Sequence, residues 1–168
     1  MIWEGRGFSY SFNLGLGMGV PAWASYYLLS PFNLIVILLP ESFMEYSIVF
    51  MILLKLSVAG WAATFFFQKL IPDGGIAPLY CGICYGLCGY AITYYTVVMW
   101  LDALYLLPLF LYFAKRVADE GKIRGFVLIL CAGFVINYYM SYMMGLFTFA
   151  VFTGYLFYSK KEKNQYTK

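Results

Sequence analysis

Lys55 lies in the middle of the apolar segment FMILLKLSVAGW, a position that calls for a chemical explanation. An ammonium group at the centre of a membrane span costs about 2.5–3.5 kcal/mol on insertion scales, so we expect a compensating partner. The functional interpretation is that Lys55 faces a cavity and binds a phosphate or a carboxylate, and the candidate acidic partners are Asp102, Glu41 and Glu45. The alternatives are a structural ion pair and a lysine that extends to the membrane surface.

Asp102 is the candidate catalytic residue. A carboxylate at the mouth of a span can take a proton from a reacting hydroxyl group, and a nearby ammonium can stabilise a leaving phosphate. The alternative is that Asp102 caps a helix, where its charge interacts with the positive end of the helix dipole. Because the chain contains no histidine, acid–base chemistry has to use carboxylates, lysine or tyrosine.

Amide and aromatic side chains at the ends of apolar segments are candidates for hydrogen bonds to a sugar or a lipid head group. A buried asparagine in particular needs partners for its amide, whereas a tyrosine at a membrane surface also belongs to the ordinary aromatic belt. The full set of candidate substrate-binding residues is Lys55, Asn13, Asn33, Trp100, Asn137 and Tyr138. We predict no metal site and identify no resident cofactor, since the glycines of 15–19 lack the strand and the lysine of a nucleotide-binding loop.

The composition places most of the chain in a lipid bilayer. Of the 168 residues, 63% are hydrophobic and 11% are charged, whereas about 25% of the residues in soluble domains are charged. The net charge of +3 comes from short basic clusters between apolar segments. Nucleic-acid binding needs an exposed basic face, so we exclude it.

We predict an all-α, polytopic integral membrane protein with about five transmembrane helices. Residues 1–43 are predicted to form an external loop with a short re-entrant or interfacial helix near 30–40, which Ser30 caps and Pro31 begins. Residues 44–159 are predicted to form a transmembrane bundle, followed by a basic cytoplasmic tail at 160–168. The stretches long enough, or nearly so, to cross about 30 Å of hydrocarbon are 45–69, 75–97, 99–116, 123–138 and 141–159.

The basic residues predict the orientation. Nine of them lie at span ends assigned to one side of the membrane, and Arg6 alone lies on the other. By the positive-inside rule the C-terminus is cytoplasmic and the N-terminal loop is outside. An external N-terminal loop without a preceding span leads us to expect a missing upstream transmembrane helix, in a chain that is a piece of a longer protein.

The segment CGICYGLCG at 81–89 predicts close helix packing. Gly82, Gly86 and Gly89 give a face of small residues that a partner helix can approach. The cysteines interleaved with them lie in apolar surroundings without a polar activating neighbour, so we predict packing rather than redox chemistry.

Four motifs resemble the bacterial YfhO membrane-protein family in order and spacing: SFNLGLG at 11–17, YYLLSPFNL at 26–34, MWLDALYLLPL at 99–109 and NYYM at 137–140. The resemblance implies a polytopic glycosyltransferase of the GT-C type in the bacterial cytoplasmic membrane. It also implies a polyprenyl-phosphate-sugar donor and a cell-envelope polymer, such as teichoic acid, as the acceptor. The expected partners are therefore the bilayer, the lipid-linked sugar and the polymer.

The resemblance places the catalytic acid in the first external loop. The acids of that loop here are Glu4, Glu41 and Glu45, and none matches a catalytic motif. Enzymatic activity of this chain alone is therefore left open. The alternatives are a transporter or flippase-like protein that binds a lipid head group through Lys55 and Asp102, and a small structural membrane subunit.

Overall fold

A computed structural model describes Gly17, Gly19, residues 29–33, Pro40 and residues 43–166 of the chain. The regular structure of these residues is entirely helical, in agreement with the predicted fold class. The principal helices are α1 (Met44–Leu70), α2 (Ala77–Gly86), α3 (Gly89–Tyr94), α4 (Asp102–Glu120), α5 (Arg124–Ile136) and α6 (Tyr138–Tyr166).

Two segments within these helices are long and apolar enough to cross a membrane, Tyr46–Leu70 in α1 and Tyr138–Ser159 in α6. They correspond to the first and last predicted spans. Many large apolar side chains on both helices are exposed, including Leu53 at 59% and Phe149 at 69%. In a bilayer such faces contact lipid rather than water. The total of about five spans stays a prediction.

The segment 75–97 does not form the single continuous helix that we predicted. It divides into α2 and α3, of 10 and 6 residues, because Leu87 ends α2 and Cys88 adopts an extended conformation. Neither piece reaches across about 30 Å of hydrocarbon at 1.5 Å per residue. Glycines on both sides of the break weaken the helix, which is the physical reason for the difference.

The small residues of α2 pack against α1 of the same chain. A Cβ atom on Gly82 would lie 1.9 Å from the Thr64 hydroxyl oxygen and 2.7 Å from the Gly60 carbonyl oxygen. One on Gly86 would lie 3.2 Å from the Gly60 Cα atom, whereas Gly89 has open space around it. Within this chain, the partner of Gly82 and Gly86 is therefore α1, in agreement with the predicted close helix packing, whereas a partner outside the chain stays a prediction.

The core lies where α1, α4 and α6 meet. α4 contributes most of it, because nearly every residue of its first two turns is buried. The buried apolar residues are Ala59, Ala62, Ala91, Leu101, Ala103, Leu104, Tyr105, Leu106, Phe110 and Met144. The alanines allow α1 to approach α4 closely, so that polar groups on the two helices can meet.

The far end of α4 is charged and exposed. Lys115 pairs with Asp119, and Glu120 lies 3.0 Å from Arg116 and 2.8 Å from Lys122. The hydrogen bonds that Arg116 and then Lys122 donate lower the pKa of Glu120 to about 2. Exposed pairs of this kind stabilise a fold little, but they show that this end of α4 lies in water.

Candidate functional site

Lys55 and Asp102 form a buried ion pair between α1 and α4. The Lys55 Nζ atom lies 2.9 Å from Asp102 Oδ1, and the two side chains are 1% and 2% exposed. Asp102 is therefore the partner, among the three acids proposed. Glu41 and the side chain of Glu45 lie outside the described residues. A charge held in such surroundings is tolerated only when it is paired and hydrogen-bonded.

Lys55 makes two further contacts. Its ammonium donates a hydrogen bond of 3.0 Å to the Val98 carbonyl oxygen and lies 5.7 Å from the centre of the Phe32 ring. The first contact fixes the loop 95–101, and the second is a cation–π interaction with the segment 29–33. Lys55 thus connects α1 with the segment 29–33 and the loop 95–101 as well as with α4.

Ser30 is the third member of the cluster. Its hydroxyl group donates a 2.9 Å hydrogen bond to Asp102 Oδ1, and its carbonyl oxygen accepts one from the Asn33 N–H at 3.0 Å. We predicted that Ser30 would cap a helix near 30–40. The hydroxyl contacts Asp102, seventy-two residues further along the chain. Asn33 is helical, and residues 34–39 lie outside the described part, so the cap stays a prediction.

Asn137 fixes the same loop from the opposite side. Its side chain is buried between α5 and α6, where Nδ2 donates to the Met99 carbonyl oxygen at 3.3 Å. Its Oδ1 accepts from the Met140 N–H at 3.1 Å, which caps the N-terminus of α6. Both halves of the amide are thus used, as the sequence demanded of a buried asparagine. Two successive carbonyl groups of the loop, at Val98 and Met99, are therefore held by buried side chains.

Trp100 comes directly after these two carbonyl groups. Its ring centre lies 5.1 Å from that of Tyr94, which in turn lies 5.0 Å from that of Tyr90. Tyr94 is 38% exposed and Trp100 is half-buried. The three rings form one aromatic cluster beside the ion pair.

The structure brings Lys55, Asp102, Trp100 and Asn137 into one region. Tyr138 follows Asn137 but is 53% exposed and makes no hydrogen bond within the described part of the chain. Asn33 lies half-buried beside Ser30, and Asn13 lies outside the described residues. Among the described side chains, no three acids, cysteines or histidines are grouped to hold a metal ion.

The helix lengths give the depth of this region in the bilayer. Lys69 on α1 and the charged residues from Lys115 onward mark one membrane surface. Lys55 lies 15 residues before the end of α1, about 22 Å at 1.5 Å per residue, and Asp102 lies 13 residues, about 20 Å, before Lys115. With a hydrocarbon layer about 30 Å thick, the predicted topology would place the ion pair roughly 8–10 Å inside the opposite boundary.

The comparison with known proteins settles the family. All of residues 1–168 match the family model described as bacterial membrane protein YfhO. The chain belongs to the YfhO family. No curated protein and no solved structure matches the sequence at a significant level. The predicted membership of the YfhO family is thus confirmed, and the YfhO chain is a membrane protein.

Three of the YfhO motifs meet at the ion pair. Ser30 and Phe32 come from YYLLSPFNL, Trp100 and Asp102 come from MWLDALYLLPL, and Asn137 begins NYYM. Segments that are far apart in the sequence therefore lie together in one three-dimensional cluster.

The uncharged partners of Lys55, Asp102 and Asn137 in this YfhO chain were not predicted from the sequence. Ser30 was predicted only as a helix cap, and the carbonyl groups of Val98 and Met99 were not predicted at all. The run of β-branched and aromatic residues before Trp100 was a usable signal, because it disfavours a continuous helix there. No sequence signal identifies which carbonyl oxygen a lysine will contact.

Proposed function

We propose that this chain is part of a membrane glycosyltransferase that transfers a sugar from a polyprenyl-phosphate carrier to a cell-envelope polymer, such as teichoic acid, on the outer face of the bacterial membrane. Its membership of the YfhO family supports the proposal, since the resemblance implies chemistry of the GT-C type. The observation that carries the proposal is the polar cluster of Lys55, Asp102 and Ser30, in the membrane half opposite the basic helix ends.

The reaction sets requirements that these residues can be compared with. The acceptor hydroxyl oxygen forms a bond to the anomeric carbon, the bond between that carbon and the carrier phosphate oxygen breaks, and the hydroxyl proton passes to a base. The base has to reach the acceptor. Asp102 is 1% exposed and already accepts hydrogen bonds from Lys55 and Ser30, so its contacts favour a positioning role.

In that role the cluster holds three parts of the chain together. Asp102 binds the segment 29–33 through Ser30, and Lys55 binds the loop 95–101 through Val98. Both segments are connections that we place on the side where the resemblance places the substrates. A catalytic acid in the external loop would be held over α1 and α4 by these contacts. Catalysis by Asp102 itself stays a prediction. The double variant Lys55→Met with Asp102→Asn tests whether the pair only positions the loops or takes part in the reaction.

The transporter or flippase-like alternative is supported less well by this geometry. Binding of a phosphate head group would require Lys55 to leave Asp102 and Val98, which leaves a buried carboxylate without its counter-ion. In the small-subunit alternative, Gly82 and Gly86 would bind a helix of another protein. This alternative is supported less well, because α1 of the same chain occupies both glycines.

The test is sugar transfer by the native protein reconstituted in proteoliposomes. A polyprenyl-phosphate donor with a radiolabelled sugar is supplied with teichoic acid, and labelled polymer is measured alongside movement of the donor between leaflets. We expect labelled polymer that depends on the protein. Movement of the donor without labelled polymer would overturn the glycosyltransferase proposal in favour of a flippase.

A further inference from the structure

The loop 95–101 lies at a depth where exposed backbone is not tolerated in contact with lipid. It reaches the level of Asp102, roughly 8–10 Å inside the hydrocarbon boundary by the helix lengths. Non-helical backbone at such a depth must be buried in protein or line a water-filled cavity. Tyr95 is 52% exposed and Thr96 is also exposed, so the described part of the chain does not bury this loop.

The neighbouring turn between α5 and α6 lies at the same level. α5 has 13 residues and extends only about 20 Å from its charged end at Arg124. Asn137, which follows it, contacts the loop directly. The loop 95–101 and the turn at Asn137 thus both end short of the membrane boundary. Together they form one surface, called the floor below, and the first turns of α1 extend beyond it.

We infer that this floor lines a water-filled recess in which Trp100 and Tyr94, backed by Tyr90, form a binding platform for a sugar ring. The inference rests on the proposed function. The C–H groups on one face of a pyranose carry partial positive charge and pack against the negative face of an aromatic ring. Lys55 and Asn137 are positioning residues for the platform, because they fix the two carbonyl groups that precede Trp100.

The depth of Trp100 distinguishes this platform from an aromatic belt. Belt residues lie at the level of the head groups, whereas Trp100 is two residues from the buried Asp102 and packs on Tyr94, which is 38% exposed. Trp61 gives the contrast within the same chain. It is 65% exposed on the apolar surface of α1 and stacks only on Phe65 of its own helix.

Water access is tested first, in a variant of the native protein without its natural cysteines. We expect Tyr95→Cys to react with a membrane-impermeant maleimide and Leu53→Cys to stay unlabelled. Leu53 is the matched control because it is 59% exposed and lies two residues from Lys55, hence at nearly the same depth. A Tyr95→Cys variant that stays unlabelled, or equal labelling at both positions, would overturn the recess.

Sugar binding is tested by kinetics of the reconstituted native protein. We expect Trp100→Ala to raise KM for one sugar substrate about tenfold, Trp100→Phe to restore most of the loss, and Trp61→Ala to leave KM unchanged. A rise confined to the donor assigns the platform to the donor sugar, and a rise confined to the polymer assigns it to the acceptor.

The outcomes separate this inference from the proposed function. An unchanged KM in Trp100→Ala with normal transfer would overturn the platform and leave the glycosyltransferase standing. Equal effects of Trp100→Ala and Trp61→Ala would also overturn it, since a lost aromatic anchor would then explain both. Absence of transfer by the unmodified protein would instead refute the proposed function.

Discussion

Removal of one partner of the Lys55–Asp102 pair should damage the protein more than removal of both. The two side chains are 1% and 2% exposed, and the charges lie 2.9 Å apart. Loss of one partner of a buried ion pair leaves an uncompensated charge and typically costs 3–5 kcal/mol, whereas replacing both by uncharged groups is often neutral or stabilising. The lipid around α1 and α4 supplies no alternative partner.

The variants are Lys55→Met, Asp102→Asn and the two combined. Asparagine keeps an acceptor for the Ser30 hydroxyl group, and methionine keeps most of the length of the lysine side chain. The combined variant still loses the hydrogen bond from Lys55 to the Val98 carbonyl oxygen, about 1.5–3 kcal/mol for a charged donor. We expect each single variant to lose 3–5 kcal/mol and the double variant to recover about half of that loss.

The assay has two readouts. Membrane abundance and the temperature of aggregation in detergent report the fold, and transfer of labelled sugar reports activity. Lys115→Met is the matched control, because its ion pair with Asp119 is exposed and worth under about 1 kcal/mol. If the ion pair positions the loops, activity returns with abundance in the double variant. A double variant that is abundant and inactive would refute this reasoning and show that Lys55 or Asp102 takes part in the reaction itself.

The remaining predictions concern the contacts around the pair. Gly82→Leu should prevent α2 from packing on α1, since even a Cβ atom would lie 1.9 Å from the Thr64 hydroxyl oxygen. The resistance of the protein to proteases in membranes should therefore fall, whereas the control Gly89→Leu should leave it unchanged. Asn137→Ala should lose about 1 kcal/mol with the α6 cap and free the loop at Met99, seen as faster hydrogen exchange there. Asn137→Asp should retain the cap but also lose the donor to Met99, so exchange should rise in both variants, and wild-type exchange rates would contradict the tether. Ser30→Ala should lower stability by about 1–2 kcal/mol, because the buried hydrogen bond goes to a charged carboxylate, and an unchanged melting temperature would show that the 29–33 segment is held elsewhere.

The sequence predicted the long helices well because their signals are local. The ends of α1 lie within one residue of the predicted 45–69, since an apolar run ends at the turn around Pro72. The division of 75–97 into α2 and α3 was missed, because the total hydropathy of a segment does not register a break at Cys88. The glycines beside the break weaken the helix, and Gly86 also packs against Gly60 of α1, a contact that hydropathy does not reveal.

The ion pair could be predicted from the sequence only in part. A lysine in the middle of an apolar span indicates that an acidic partner exists, and Asp102 was one of three acids that could be this partner. Sequence separation gave no means of choosing, because the choice depends on α4 beginning at the depth of Lys55 rather than at the membrane surface. In the predicted topology, that early start of α4 also leaves the loop 95–101 within the bilayer, where its carbonyl groups need the donors that Lys55 and Asn137 provide. One geometric fact, the level at which α4 begins, thus accounts for both the buried charge and the tethered loop. We therefore expect a substitution that moves the loop 95–101 to the membrane surface to reduce the loss of stability that Lys55→Met causes.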